Sequence, residues 1–198
     1  MAAPLMTTMP APPRFWNVPN TLTLSRLVLG FAVCALISAG LYWIALAVFV
    51  AAALSDALDG YLARRLGQET PIGRQLDPLV DKLIVGAALV YLLPHPGSGL
   101  MPWMVTAILV RELIVQALRS LIEGRGEPFG ARMVGKLKTT FQCIAIGAAL
   151  VVLAVAKPPV PLLWLRDGLI YAAVALTIYS GCAYLVIAWP KLKAGRVD

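Results

Sequence analysis

Four aspartates carry the first chemistry in this sequence. Within residues 55–82, SDALDGYLARRLGQETPIGRQLDPLVDK, Asp56 and Asp59 stand three apart, and Asp77 and Asp81 stand four apart. On a helix those spacings place both members of a pair on one face. A short connection makes consecutive helices antiparallel neighbours, so the two faces are expected to meet. Four anions gathered in a low-dielectric setting repel one another, and each is costly unless compensated. Two compensations are open. One is ion pairing with Arg64, Arg65, Arg74 and Lys82, all in the same segment. The other is divalent metal, because hard cations favour clustered carboxylate oxygens and magnesium sits between carboxylates and substrate phosphates. No histidine or cysteine lies in the segment, which disfavours zinc. Mg2+ or Mn2+ is the expected ion.

The residues between the pairs suit a nucleotide-phosphate site. Gly60 follows Asp59, and Ala63 comes one turn later. Small residues there let a flat group approach the backbone, and they serve plain helix packing equally well. Arg64 can neutralise a diphosphate or reach out to the membrane interface. Gly73 opens the next helix, where a simple cap would also suffice.

Written out, the pattern is Asp56-x-x-Asp59-Gly60-x-x-Ala63-Arg64, eight residues, Gly73, three residues, Asp77, three residues, Asp81. It resembles the complete signature of the CDP-alcohol phosphatidyltransferase family, with all its defining positions filled. The resemblance implies that Asp56, Asp59 and Asp77 bind a pair of divalent metals, with Asp81 completing the site. It further implies that the metals and Arg64 hold the diphosphate of CDP-diacylglycerol, that Gly60 and Ala63 make room for cytidine, and that Asp81 is the base for the acceptor hydroxyl. The family works as a homodimer of six-helix subunits, with a short interfacial helix before the first span. The proline-rich start of this chain departs from that helix.

A second set of residues bears on the acceptor. Arg111 and Glu112 lie inside an apolar run, Arg119 follows, and Lys136 and Lys138 belong to the segment Gly135-Lys136-Leu137-Lys138-Thr139-Thr140. An arginine deep in a membrane span marks a functional site unless a neighbouring carboxylate, here Glu112 or one of the aspartates, simply pairs with it. Arg111, Arg119, Lys136 and Lys138 together would bind a phosphorylated acceptor. Alternatively, the two lysines follow only from the bias of basic residues toward the cytoplasm. With Asn17-Val18-Pro19-Asn20-Thr21-Leu22-Thr23, Arg26 and Gln142, this set is similar to the phosphatidylglycerophosphate synthase branch of the family. That resemblance implies glycerol 3-phosphate as acceptor, with phosphatidylglycerophosphate and CMP as products. Asn20 and Thr23 would lie near the nucleotide of CDP-diacylglycerol, or else act as a helix cap.

The elements that must position these residues are membrane helices. Of 198 residues 60% are hydrophobic and only 14% charged, more apolar surface than a soluble domain of this size can bury. An all-α integral membrane protein is expected. Six apolar stretches, at 21–38, 43–65, 74–93, 102–122, 134–156 and 161–188, are each long enough to cross a bilayer. Gly40 breaks the first from the second, the run Pro94-His95-Pro96-Gly97 ends the third, and Pro158 and Pro159 separate the last two. The expected layout is an interfacial segment at 1–20, a six-helix catalytic domain at 21–189 and a short tail at 190–198.

Charge sets the orientation. Arg64, Arg65, Arg74, Arg125, Arg132, Lys136, Lys138, Lys191, Lys193 and Arg196 fall on one side, against Lys157, Arg166 and His95 on the other. Both termini and the aspartates are therefore expected on the cytoplasmic side of the inner (plasma) membrane. The net charge of +7 fits anionic headgroups, and no nucleic-acid signature accompanies it. The first residues lack the basic leader and apolar core of a signal peptide. Cys34, Cys143 and Cys182 form no CxxC or Cys/His cluster and are expected to be packed thiols. The rival readings are a sister enzyme acting on phosphatidylglycerol (a cardiolipin synthase) or an inositol phosphate and, from another class, a divalent-cation transporter. A transporter requires acidic groups near mid-membrane, whereas these aspartates gather at one interface.

Overall fold

The computed structural model describes the backbone of residues 18–66, 71–124 and 133–194, with side chains over 24–55, 82–124 and 137–192 together with Val80 and Gly135. The regular elements among the described residues are all helices: α1 (Val18–Ser38), α2 (Tyr42–Leu66), α3 (Pro71–Leu92), α4 (Pro102–Glu123), α5 (Met133–Ala154) and α6 (Val160–Ala194), with a single 3-10 turn at Pro96–Ser98. No strand occurs among them.

Local chemistry sets the boundaries. At the end of α1 the Gly40 N–H bonds Ile37 O at 3.0 Å and the Leu41 N–H bonds Leu36 O at 2.9 Å. Gly40 adopts φ +73° to make this cap, a conformation glycine reaches without steric cost. Pro71 and Pro102 open α3 and α4, where a missing N–H loses no helical bond. The sixth helix runs past the expected end at 188 and carries Pro190 inside it. Packing explains the extension, because Tyr184, Ala188 and Leu192 bury against Val115 and Ile122 of α4. That contact carries the helix through a residue that removes one backbone bond.

All six helices feed one core. Val33 and Ile37 of α1 meet Phe49 of α2, Ile84 and Leu89 of α3, Ile108 of α4, Leu150 of α5 and Val174 of α6. Helix α1 packs on both α2 and α3, α5 lies against α6 and α2, and α4 packs on α6 and α3. Glycines set the closest approaches: a Cβ at Gly30 would stand 2.7 Å from Ile84 Cγ1, and one at Gly86 2.8 Å from Leu109 Cδ2. Small residues at such crossings are the usual means of tight helix packing in lipid.

The outside of the bundle is apolar as well. Phe31, Leu113, Trp164 and Val186 are each at least 69% exposed, a pattern that water would penalise and hydrocarbon accepts. Leu137–Ala154 and Val160–Leu192 are long and apolar enough to cross a membrane, and the described parts of α1, α2 and α3 hold shorter apolar runs. The chain is a membrane protein by this surface. The thiols differ from expectation in one respect: Cys34 is buried, but Cys182 is exposed on α6, where an apolar setting receives a small hydrophobe as readily as a packed core.

At the end of the bundle holding the α3–α4 connection, Arg166 works as a clasp. Its Nη1 donates to Gly97 O at 2.6 Å, and its Nε donates to Asp167 Oδ1 at 2.9 Å. Gly99, at φ +74°, leaves it room, since a Cβ there would fall 2.6 Å from Arg166 Nε. Tyr42 Oη and His95 Nδ1 lie 3.2 Å apart beside it.

Candidate active site

The aspartate signature spans α2 and α3. Asp56, Asp59, Gly60, Ala63 and Arg64 belong to α2, and Gly73, Asp77 and Asp81 to α3. Their side chains lie outside the described residues, as do those of Asn20 and Thr23 in α1 and Lys136 in α5. Among the described residues no group of three or more His, Cys, Asp or Glu side chains assembles a metal site. The donor set of the signature is all carboxylate, which suits magnesium or manganese.

The second expected set is described in part, and the structure joins two of its members. Arg111 on α4 and Lys138 on α5 both donate to the same atom, Glu112 Oε1. The Arg111 Nη1 distance is 3.1 Å. All three residues are buried, at 8%, 5% and 7% exposure for Arg111, Lys138 and Glu112. A carboxylate shared by two cations leaves an excess of positive charge in a space from which water is excluded. Such an excess is expensive unless an anion completes it. Arg111 Nε and Nη2, and Glu112 Oε2, are buried with no hydrogen-bond partner among the described residues. Orphaned donors of this kind are uncommon in native interiors, and the planar guanidinium edge is suited to phosphate oxygens.

Neighbouring elements hold Arg111 in place. Its guanidinium carbon stands 5.5 Å from the centroid of the Tyr184 ring on α6. Gly181, one turn earlier on α6, has no Cβ where one would approach Arg111 Cγ to 2.9 Å. Gly135 of α5 similarly makes room for Tyr184 Oη, which a Cβ would meet at 3.0 Å. The expectation that Glu112 pairs with Arg111 is met, yet one carboxylate for two cations does not exhaust the arginine.

Arg119 is not drawn into this cluster by any hydrogen bond among the described residues. It stands two turns further along α4, half-buried, with Nε 4.0 Å from Glu123 Oε1. One turn beyond Glu112, Gln116 Oε1 accepts a hydrogen bond from Lys82 Nζ of α3. Gln142 has a structural place: its Nε2 donates to Thr177 Oγ1 at 2.9 Å, and Thr177 Oγ1 donates to Ala173 O at 2.6 Å. That chain of bonds ties α5 to α6 inside the core. Sequence reasoning did not single out Gln116 or Tyr184. The four-residue step from Glu112 to Gln116 was the available signal for the first, whereas Tyr184 lies in an apolar run that gives none.

Known proteins match this chain along most of its length. The family model for CDP-alcohol phosphatidyltransferase matches residues 16–179. A CDP-diacylglycerol–glycerol-3-phosphate 3-phosphatidyltransferase of Pseudomonas fluorescens is 38% identical over 191 residues, covering 92% of this chain and 95% of the relative. A protein of the same name from Bacillus subtilis (strain 168) is 36% identical over 198 residues, covering 91% of this chain and 100% of the relative. One from Salmonella choleraesuis (strain SC-B67) is 31% identical, covering 87% and 95%. With its aspartate signature intact and a match reaching from the first helix into the last, this chain belongs to the CDP-alcohol phosphatidyltransferase family.

Proposed function

We propose that this chain transfers the phosphatidyl group of CDP-diacylglycerol to glycerol 3-phosphate, releasing phosphatidylglycerophosphate and CMP. The observation that carries the choice of acceptor is the buried pairing of Arg111 and Lys138 on one oxygen of Glu112, with two guanidinium nitrogens left open. A phosphomonoester dianion answers both the surplus charge and the open donors. The names of the relatives point the same way.

In the reaction the acceptor hydroxyl oxygen attacks the phosphorus that bears the diacylglycerol. The bond from that phosphorus to the oxygen bridging to CMP breaks, and CMP leaves with the electron pair. Asp81 takes the hydroxyl proton, for which it must come within hydrogen-bond reach. Asp56, Asp59, Asp77 and Asp81 would hold two Mg2+ or Mn2+ ions, which supply charge neutralisation at the diphosphate. Arg64 would add positive charge at the same group, Gly60, Ala63 and Gly73 would leave space beside it, and Asn20 and Thr23 would serve the nucleotide. Arg111 and Lys138, with Arg119 and Lys136 nearby in sequence, orient the phosphate of the acceptor.

The bundle sits in the inner (plasma) membrane as six spans, with both termini and the active site toward the cytoplasm. Support comes from the helix lengths and from the one-sided distribution of Lys and Arg. CDP-diacylglycerol would then enter sideways from lipid and glycerol 3-phosphate from water. A homodimer is the working assembly.

An acceptor panel tests the reading. Purified protein with CDP-diacylglycerol, in Mg2+ or Mn2+, is expected to release CMP with glycerol 3-phosphate and not with phosphatidylglycerol, inositol phosphate or glycerol. Release with phosphatidylglycerol alone would move the chain to the cardiolipin synthases. Release with none would overturn the activity.

A further inference from the structure

We infer that Glu112 is a positioning residue that sets which acceptors bind, by spacing Arg111 and Lys138 for a single phosphomonoester. The inference rests on the acceptor reading above and deepens it. Glu112 is the only carboxylate bonded to either cation among the described residues, and it serves both through the same oxygen. Arg111 precedes it on α4, whereas Lys138 comes from α5, so their separation is fixed by this shared anchor rather than by a common helix. Its second oxygen, Oε2, is buried and has no hydrogen-bond partner among the described residues.

The face of α4 that carries this anchor also reaches α3. Gln116, four residues on, holds Lys82, which is adjacent to Asp81 in sequence. Residues four apart stack on one helix face. A single stripe of α4 therefore registers the acceptor cation of α5, Lys138, against the helix that bears the base. Glu112 and Gln116 are the two fixed points of that register.

Electrostatics and positioning make opposite predictions, which renders the inference testable. A bare carboxylate beside a phosphate site repels the phosphate. If Glu112 served only as a counter-ion, Glu112→Gln would leave more positive charge and lower the KM for glycerol 3-phosphate. If it positions the two cations, the same change weakens the shared anchor, and KM rises although the site has become more positive.

The experiment measures initial rates for wild type, Glu112→Gln and Glu112→Asp in detergent with Mg2+, varying each substrate in turn. The expected result is a KM for glycerol 3-phosphate raised about 10-fold or more in Glu112→Gln, with the KM for CDP-diacylglycerol within about 2-fold of wild type. Glu112→Asp, which keeps the charge but moves it by a methylene, is expected to fall short of wild type as well. An unchanged or lowered KM for glycerol 3-phosphate in Glu112→Gln would overturn the positioning role. A wild-type enzyme that turns over no glycerol 3-phosphate would instead sink the acceptor reading, so the two failures are distinct. Glu112→Gln is nearly isosteric, and a thermal melt with and without CDP-diacylglycerol establishes that it is folded before its KM is read.

Discussion

The Arg111 guanidinium carbon lies 5.5 Å from the centroid of the Tyr184 ring, a contact between α4 and α6 that is separate from the arginine's ion pair with Glu112. A desolvated cation over an aromatic face is stabilised by about 1–2 kcal/mol. Replacing the ring with a flexible aliphatic group would let the guanidinium wander. Tyr184→Leu is expected to raise the KM for glycerol 3-phosphate several-fold and to lower the melting temperature, while Tyr184→Phe, which keeps the ring over the guanidinium, is expected to raise that KM less than Tyr184→Leu. Steady-state kinetics with both variants check the point.

Gly181→Ala probes the same arginine from the backbone side. The added methyl would approach Arg111 Cγ to 2.9 Å, and Cγ sits too near the root of the side chain to swing away freely. The expected result is a raised KM for glycerol 3-phosphate with little change in the KM for CDP-diacylglycerol. Equal loss on both substrates would indicate a general packing defect instead.

The Gln142–Thr177 bond predicts a stability effect with a characteristic asymmetry. Thr177→Val leaves a buried amide donor stranded, which costs about 1–3 kcal/mol. Gln142→Leu leaves the Thr177 hydroxyl bonded to Ala173 O and is expected to cost less. The double variant should recover part of the Thr177→Val loss. Thermal melts of the three proteins in detergent decide this.

Asp81→Asn addresses the chemistry itself. An amide cannot take the acceptor proton, so turnover is expected to vanish while CDP-diacylglycerol still binds. Binding of a radiolabelled CDP-lipid beside CMP release separates the two. Retained turnover in a folded protein would remove Asp81 from the base role. Chelation by EDTA is likewise expected to abolish CMP release, with recovery on adding Mg2+ or Mn2+.

Arg166 offers the contrasting case of a buried cation away from the chemistry. Its bonds to Gly97 O and Asp167 fasten the connection between α3 and α4. Arg166→Ala is expected to lower thermal stability and leave the KM values of both substrates near wild type.

Much of this architecture was legible in the residues because membrane helices are written plainly. Apolar runs ended by Gly40 and by the prolines after Leu93 gave elements whose edges agree with α1 to α5 within a few residues. The end of α6 was not legible, since Pro190 reads locally as a stop and only the burial of Ala188 and Leu192 against α4 overrides it. In the acceptor set, Arg111 was conspicuous because a charge in an apolar run is costly. Lys138 stood among the acceptor candidates with the cytoplasmic bias of lysine as an equal alternative, and its tie to Glu112 depends on how α4 and α5 cross. Tyr184 was hidden for the opposite reason, as one more apolar residue among many. The aspartates were the clearest signal of all, and their side chains lie outside the described residues.

Helix α6 contains 35 residues, which at about 1.5 Å per residue makes a rod of roughly 52 Å. A hydrocarbon layer of about 30 Å cannot contain it upright. The rod must lean or protrude, and Trp189 and Lys191 near its C-terminal end are residue types that favour the level of the lipid headgroups. Tyr184 lies little more than a turn before Trp189, so a membrane surface gripping this strut at Trp189 would set the depth at which the arginine cradle floats. Bilayer thickness would thereby become a handle on how the arginine cradle meets a water-borne acceptor.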